Sequence, residues 1–175
     1  MVNLIGTYQC KADVKGRLML PIALKKQLGV NINESFILKR SVFQPCLELH
    51  PYSEWKLTMD KINTLNRFVK KNNDFIRMYT AGVRVVDLDT NGRILIPKDL
   101  LKTYFSKNDL VLTTAINIIE IWDKDSYENV INNPEIDFAD LSEKVMGNKK
   151  EDVSLSCNVG RIYYKSRNKG GWSLC

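Results

Sequence analysis

"DVKGRLMLP" occupies residues 13–21, and the chain writes it again as "DTNGRILIP" at residues 89–97. The offset of 76 positions holds well beyond the two motifs. "GTYQCKADVKGRLMLPIALKK" aligns with "GVRVVDLDTNGRILIPKDLLK", with identities at Gly6/Gly82, Asp13/Asp89, Gly16/Gly92, Arg17/Arg93, Pro21/Pro97, Leu24/Leu100 and Lys26/Lys102. After a shift of register, "FILKRSVFQPCLELHPYSEW" aligns with "LVLTTAINIIEIWDKDSY", which sets Glu48 opposite Glu120 and Trp55 opposite Tyr127. Each half is therefore one copy of a module of about 45 to 50 residues, the scale of a recurring structural unit.

Within a copy, residues 8–12 and 84–88 read as strands, and the Asp, Asn, Lys and Gly that follow are turn formers. Gly16 and Gly92 take positive φ without steric cost, and the Asp13 and Asp89 carboxylates can accept loop amides in an Asx-type turn. The next runs, 18–20 and 94–96, are apolar at every position, which predicts strands covered on both faces. Pro21 and Pro97 suit the first position of a short helix, Leu24 and Leu28 share one face of it, and Gly29 stops it. In the second copy Leu100, Leu101 and Tyr104 supply that face. Paired strands follow at 36–39 with 46–50 and at 110–113 with 118–122. The connector carries helical spacings such as Ile62/Leu65/Val69, which predict amphipathic helices over 53–66 and 73–79. A further helix is expected over 124–132. A module this small buries too little surface to stand alone, and duplication supplies the partner in the same chain.

The bulk properties set limits on function. The chain has 175 residues, 44 % of them hydrophobic, and a net charge of +6. That describes a folded protein whose basic surface favours polyanionic partners. No apolar run reaches the length of a membrane span, and the first residues lack the pattern of a secretion signal, so a cytoplasmic protein is expected. Cys10, Cys46, Cys157 and Cys175 are scattered, and His50 is the single histidine. Reduced thiols are expected, with neither disulfides nor a metal centre. No catalytic constellation or phosphate-binding loop is written in the chain, so no enzyme activity and no cofactor are expected. His50 reads as a boundary residue at a strand end, Asp87 as a solvated strand residue, and Trp55 and Trp122 as packing residues.

The basic residues around the turns carry the best functional signal. Lys11, Lys15 and Arg17 flank Asp13 within seven positions. A hairpin tip with several cations can meet phosphates or enter a groove, and Arg17 could make a bidentate contact to guanine. Equally, Arg17 and Arg93 could pair with Asp13 and Asp89 across their own turns, and both readings can hold together. The copies differ here: Lys11 and Lys15 become Asp87 and Asn91, which leaves Arg84 and Arg93 as the second tip's cations.

The duplicated DxxGRxxxP, with a short helix and paired strands after it, resembles the tandem SpoVT-AbrB modules of the MraZ family. "RSVFQPCLELHPYSEW", "NRFVKKNNDFIR" and "INIIEIWDKDSYE" add to the resemblance, which covers about residues 1–148. It implies a mainly β, α+β fold of two swapped-hairpin modules forming a pseudo-dimer within the chain. The modules are expected at 7–54 and 83–126, a helical connector at 55–82, a helical segment at 127–148 and a flexible tail at 149–175. It implies also a transcription regulator, cytoplasmic and nucleoid-associated, assembled as a ring. Such a ring would bind repeated elements in double-stranded DNA ahead of the division and cell-wall gene cluster that contains its gene. The family's DxxxR motifs map onto Asp13–Arg17 and Asp89–Arg93. Arg17 and Arg93 thus take the DNA-contact role, Lys11, Lys15 and Arg84 accompany them, and Asp13, Gly16, Asp89 and Gly92 organise the turns. An antitoxin-like or protein-binding module of the same fold is the alternative. The last stretch, "KKEDVSLSCNVGRIYYKSRNKGGWSLC", lies outside the resemblance. Shifted one nucleotide, "DVSLSCNVGR" can encode MYHYPVMLEE, which resembles the start of the small-subunit rRNA methyltransferase whose gene typically follows in such clusters. A tail shaped by gene overlap is expected, in which Cys157 and Cys175 have no structural role.

Overall fold

The computed structural model describes residues 3–147, so the expectations for the segment after 148 lie outside the described residues. These residues fall into two compact units that divide after Asn133. The first contains β1 (Thr7–Lys11), β2 (Arg17–Met19), α1 (Ile22–Leu28), β3 (Phe36–Arg40), β4 (Leu47–Pro51), α2 (Tyr52–Asn63) and α3 (Lys70–Thr80). It continues with β5 (Arg84–Val86), β6 (Arg93–Leu95), α4 (Lys98–Tyr104), β7 (Asp109–Ala115), β8 (Ile118–Asp123) and α5 (Lys124–Ile131). The second unit holds α6 (Phe138–Ser142), capped by the Asp137 carboxylate, which accepts from the Ala139 and Asp140 amides.

The repeat becomes a symmetry of the sheet. Six antiparallel strands run in the order β1-β7-β8-β4-β3-β5, which maps onto itself when the two copies are exchanged. Its centre is the β4–β8 pair, where Glu48 stands directly opposite Glu120. Each copy's first strand pairs with the other copy, β1 with β7 and β5 with β3. The strands after the turns form a separate ribbon, β2 with β6, in the register Arg17↔Leu95, Leu18↔Ile94, Met19↔Arg93. The first two strands of each copy thus pair with the other copy, while β3–β4 and β7–β8 pair within their own, which is the swapped, mainly β, α+β fold that the resemblance implies.

One core serves both copies. Leu18, Leu20, Ile94 and Ile96 from the ribbon side meet Phe36, Leu38, Leu47, Leu49, Ile119 and Ile121 from the sheet, all fully buried. The runs 18–20 and 94–96 are not covered on both faces: Met19 is 45 % exposed and Leu95 56 %. A two-stranded ribbon lying on a sheet has one inner face, so side chains alternate and the middle residue points out. Pro21 and Pro97 sit one position earlier than expected. Their ψ values of 140° and 141° are extended, which makes them the residues preceding the helices rather than the first helical ones. Gly29 does end α1, at φ 55°.

The sheet's other face is polar at its centre and lies under α2, α3 and α5. Lys39, 1 % exposed, reaches Glu48 Oε2 at 2.9 Å, and His50 Nε2 meets the same oxygen at 3.0 Å. His50 is therefore a buried, partnered residue and not a boundary one. Its ring stands edge-on to Trp55, which stacks on Tyr79, and the Tyr79 ring also faces Lys39 Nζ at 4.7 Å. Burial alone would raise the Glu48 pKa, but hydrogen bonds from His50 and Lys39 outweigh it and bring it to about 2. In the second copy Trp122 takes the place of His50, and its Nε1–H donates to Glu120 at 3.0 Å. Thr113 stands opposite Glu120 where Lys39 stands opposite Glu48, and burial, with the Glu48 charge adding to it, shifts the Glu120 carboxyl upward. The expected helix over 73–79 is longer, Lys70–Thr80, and has no fully buried residue; Tyr79 is its main anchor. No helix among the described residues is long and apolar enough to cross a membrane.

Candidate nucleic-acid interface

Asp13 builds the first turn almost by itself. Its amide donates to the Arg17 carbonyl (3.0 Å) and its carbonyl accepts from the Gly16 amide (2.9 Å). Oδ1 accepts from the amides of Lys15 and Arg17, both at 2.9 Å, and Oδ2 receives Arg17 Nε–H at 2.6 Å. Gly16, at φ 86°, closes a three-residue loop whose last position must be left-handed. Asp89 repeats the construction with the Asn91 and Arg93 amides, both at 2.9 Å, Arg93 Nε–H at 2.8 Å, and Gly92 at φ 73°. The Arg17 and Arg93 amides, with the other bonds to each carboxylate, hold Asp13 and Asp89 below the usual carboxylate range. Both arginines do pair across their own turns.

Each turn is also fastened to the other copy. The Gly16 carbonyl accepts from the Ile96 amide at 2.9 Å, and the Gly92 carbonyl accepts from the Leu20 amide at 3.1 Å. A Cβ on Gly16 would strike the Leu101 side chain and stand 2.8 Å from the Ile96 carbonyl oxygen. The tips are therefore the two ends of one rigid body.

Between them lies the outer face of the ribbon. Arg17, Met19, Arg93 and Leu95 share it, since Leu18 and Ile94 point inward. Arg17 and Arg93 are diagonal neighbours across the pair, roughly 7–8 Å apart at Cα for an antiparallel ribbon. Their side chains are 37 % and 27 % exposed. Val14, at the apex of the first tip, is 93 % exposed, and Lys15 beside it has no ion-pair partner among the described residues.

The remaining expected cations are placed differently. Lys11 ends β1 and pairs with Asp109 across the strands at 3.0 Å, with its side chain 78 % exposed. Arg84 opens β5, at the end of that strand away from the Asp89 turn, where it donates to the Val83 carbonyl and lies 3.9 Å from Asp99. Three further lysines, not collected from the sequence around the turns, approach the tips from the other copy. Lys98 and Lys102 of α4 line a groove with Asp13 and Val14 of the first tip, and Lys25 of α1 lines the matching groove at the second. The signal for them exists only once the swap is known.

Comparison with known proteins agrees with this construction. The family described as "MraZ protein, putative antitoxin-like" matches residues 4–78 and 80–149, one match per copy. The chain is 62 % identical over 152 residues to "Transcriptional regulator MraZ" of Flavobacterium psychrophilum, covering 87 % of this chain and 97 % of the relative. It is 59 % identical to the protein of the same name from Christiangramia forsetii (87 % and 98 % covered). The Bacteroides thetaiotaomicron protein is 35 % identical, with 85 % and 96 % covered. Two matched halves, an Asp-organised turn in each, and relatives aligned over nearly their whole length lead to one conclusion: the chain belongs to the MraZ family.

Proposed function

We propose that this protein is a sequence-specific transcription regulator that binds double-stranded DNA with the exposed face of the β2–β6 ribbon and its two flanking tips. The observation that carries the reading is the ribbon itself: two arginines, Arg17 and Arg93, on one outward face between two turns that are built alike. A two-stranded ribbon is narrow enough for the major groove, and arginine is the side chain best suited to guanine there. The Asp13 and Asp89 carboxylates hold each guanidinium by its Nε edge and so aim it before DNA arrives, which lowers the entropic cost of the contact. The relatives' names, all transcriptional regulators, point the same way.

In this reading Lys15 is a phosphate contact and Asp13, Gly16, Asp89 and Gly92 keep the tips in shape. Residues 7–54 and 83–126 act as one DNA-binding body with 55–82 as its connector. The protein works in the cytoplasm on the nucleoid. Copies assemble into a ring whose linked ribbons engage repeated elements ahead of the division and cell-wall gene cluster that includes its own gene. Linking adds effective concentration without new contacts, which a single small ribbon needs.

Mobility shift with the DNA upstream of the protein's own gene, against the same DNA with its repeats scrambled, tests the proposal. Preference for the native repeats, abolished by Arg17→Ala with assembly unchanged in light scattering, is the expected result. Equal binding of both DNAs defeats the sequence-specific reading, and full binding by Arg17→Ala defeats the ribbon assignment.

A further inference from the structure

The swap sets helix α4 of the second copy beside the turn of the first. Gly16 packs against Leu101, and the groove next to them, about 410 Å³, is walled by Asp13 and Val14 on one side and by Lys98, Leu101 and Lys102 on the other. Lys98 and Lys102 are exposed and have no ion-pair partner among the described residues. The other lysine there, Lys107, is bound to Asp125 at 2.7 Å. The carboxylate in the groove does not oppose an anion strongly, because Asp13 is already bonded to the Arg17 guanidinium and two amides. The matching groove at the second tip is different in charge: Lys25 lines it together with Asp87 and Glu34, and Ile22 stands where α4 has Lys98.

We infer that Lys98 and Lys102 form, with Lys15, a backbone-phosphate clamp on the flank of the first tip, so that the second copy's helix supplies charge for the first copy's turn. The inference rests on the DNA-binding reading above and adds to it the strand of phosphates running past the ribbon's Arg17 end. Lysines one turn apart on a helix present their ammonium groups to one side, and a phosphate backbone is recognised by such point charges without reading sequence. Base discrimination stays with the ribbon arginines.

The experiment measures the salt dependence of binding to the upstream DNA. Each lysine–phosphate contact contributes about 0.9 to the slope of log K against log salt. The double variant Lys98→Gln/Lys102→Gln is expected to lower that slope by about 1.8 per bound first tip while keeping the native-to-scrambled preference of the unaltered protein. A control of equal charge loss, Lys56→Gln/Lys61→Gln on α2, across the sheet from the ribbon, is expected to leave the slope unchanged. An unaltered slope in the first variant, an equal fall in the control, or loss of sequence preference with the slope retained would each overturn the clamp. If the unaltered protein binds neither DNA, the DNA-binding reading fails, and that outcome is separate from these.

Discussion

Replacing Lys39 with methionine removes an ammonium group from the covered face of the sheet and keeps most of its aliphatic stem. Lys39 is 1 % exposed and its partner Glu48 12 %, so little water is at hand to replace the lost 2.9 Å contact. A hydrogen bond to a charged group is worth about 1.5–3 kcal/mol, and the Tyr79 ring facing Nζ adds about 1 kcal/mol. Breaking one side of a buried pair costs about 3–5 kcal/mol in general. The His50 contact, which survives, places Lys39→Met at the lower end, about 3 kcal/mol. For a chain of this size that is a fall in Tm of roughly 6–12 °C. The double variant Lys39→Met/Glu48→Gln leaves no uncompensated carboxylate and is expected to recover about half the loss, a coupling of about 1–2 kcal/mol. The pH dependence has a definite sign. Glu48 is depressed in the folded state to about 2, so its stabilisation is complete above its unfolded value near 4.5 and is lost as pH falls through 2. Without Lys39 the depression shrinks, and the acid limb of the stability curve between those values flattens. Thermal and urea denaturation from pH 2 to 7, followed by circular dichroism, measure all three. A Tm within 2 °C of the unaltered protein, or strictly additive variants, would refute the idea that Lys39 neutralises Glu48 in the fold.

Two predictions concern the turns and the ribbon. Gly16→Val forces a β-branched residue to φ 86° and toward the Ile96 carbonyl, whereas at Gly92 the nearest atom is the end of the Lys25 side chain. Gly16→Val is therefore expected to cost about 3–5 kcal/mol and Gly92→Val about 1–3 kcal/mol, read from urea midpoints, and equal losses would contradict the packing given to the first tip. Leu18→Ala should cost about 2–5 kcal/mol and Met19→Ala less than about 0.5 kcal/mol, since one is fully buried and the other 45 % exposed; comparable losses would mean that the ribbon's outer face is covered in solution.

The strands and their turns were legible because their signals are local. Asp13, Gly16 and Pro21 each act within five residues, and the repeat showed twice that they act together. The alternation of Leu18, Met19 and Leu20 was not legible, since an all-apolar triplet has no period and the outward turn of Met19 depends on a partner strand 76 positions away. Lys39 escaped for a similar reason. Its lysine identity predicts exposure, and only the β3–β4 register and the Tyr79 ring explain how the ammonium is held.

The site divides along the same line. Reading each turn by itself collects Lys11, Lys15, Arg17, Arg84 and Arg93 as neighbours in sequence, but the swap regroups them: Arg17 and Arg93 share one face, Lys11 is taken up by Asp109, and Arg84 is set back along β5. In exchange each tip acquires a helix it does not encode, α4 at the first and α1 at the second. The charge carried by a tip is therefore the sum of its own loop and the other copy's helix. The substitutions Lys15 to Asn91 in the loops and Ile22 to Lys98 in the helices both place positive charge at the Arg17 end. Lys25, which aligns with Leu101, adds charge at the Arg93 end instead, so the two ends of the ribbon differ in which positions supply their cations.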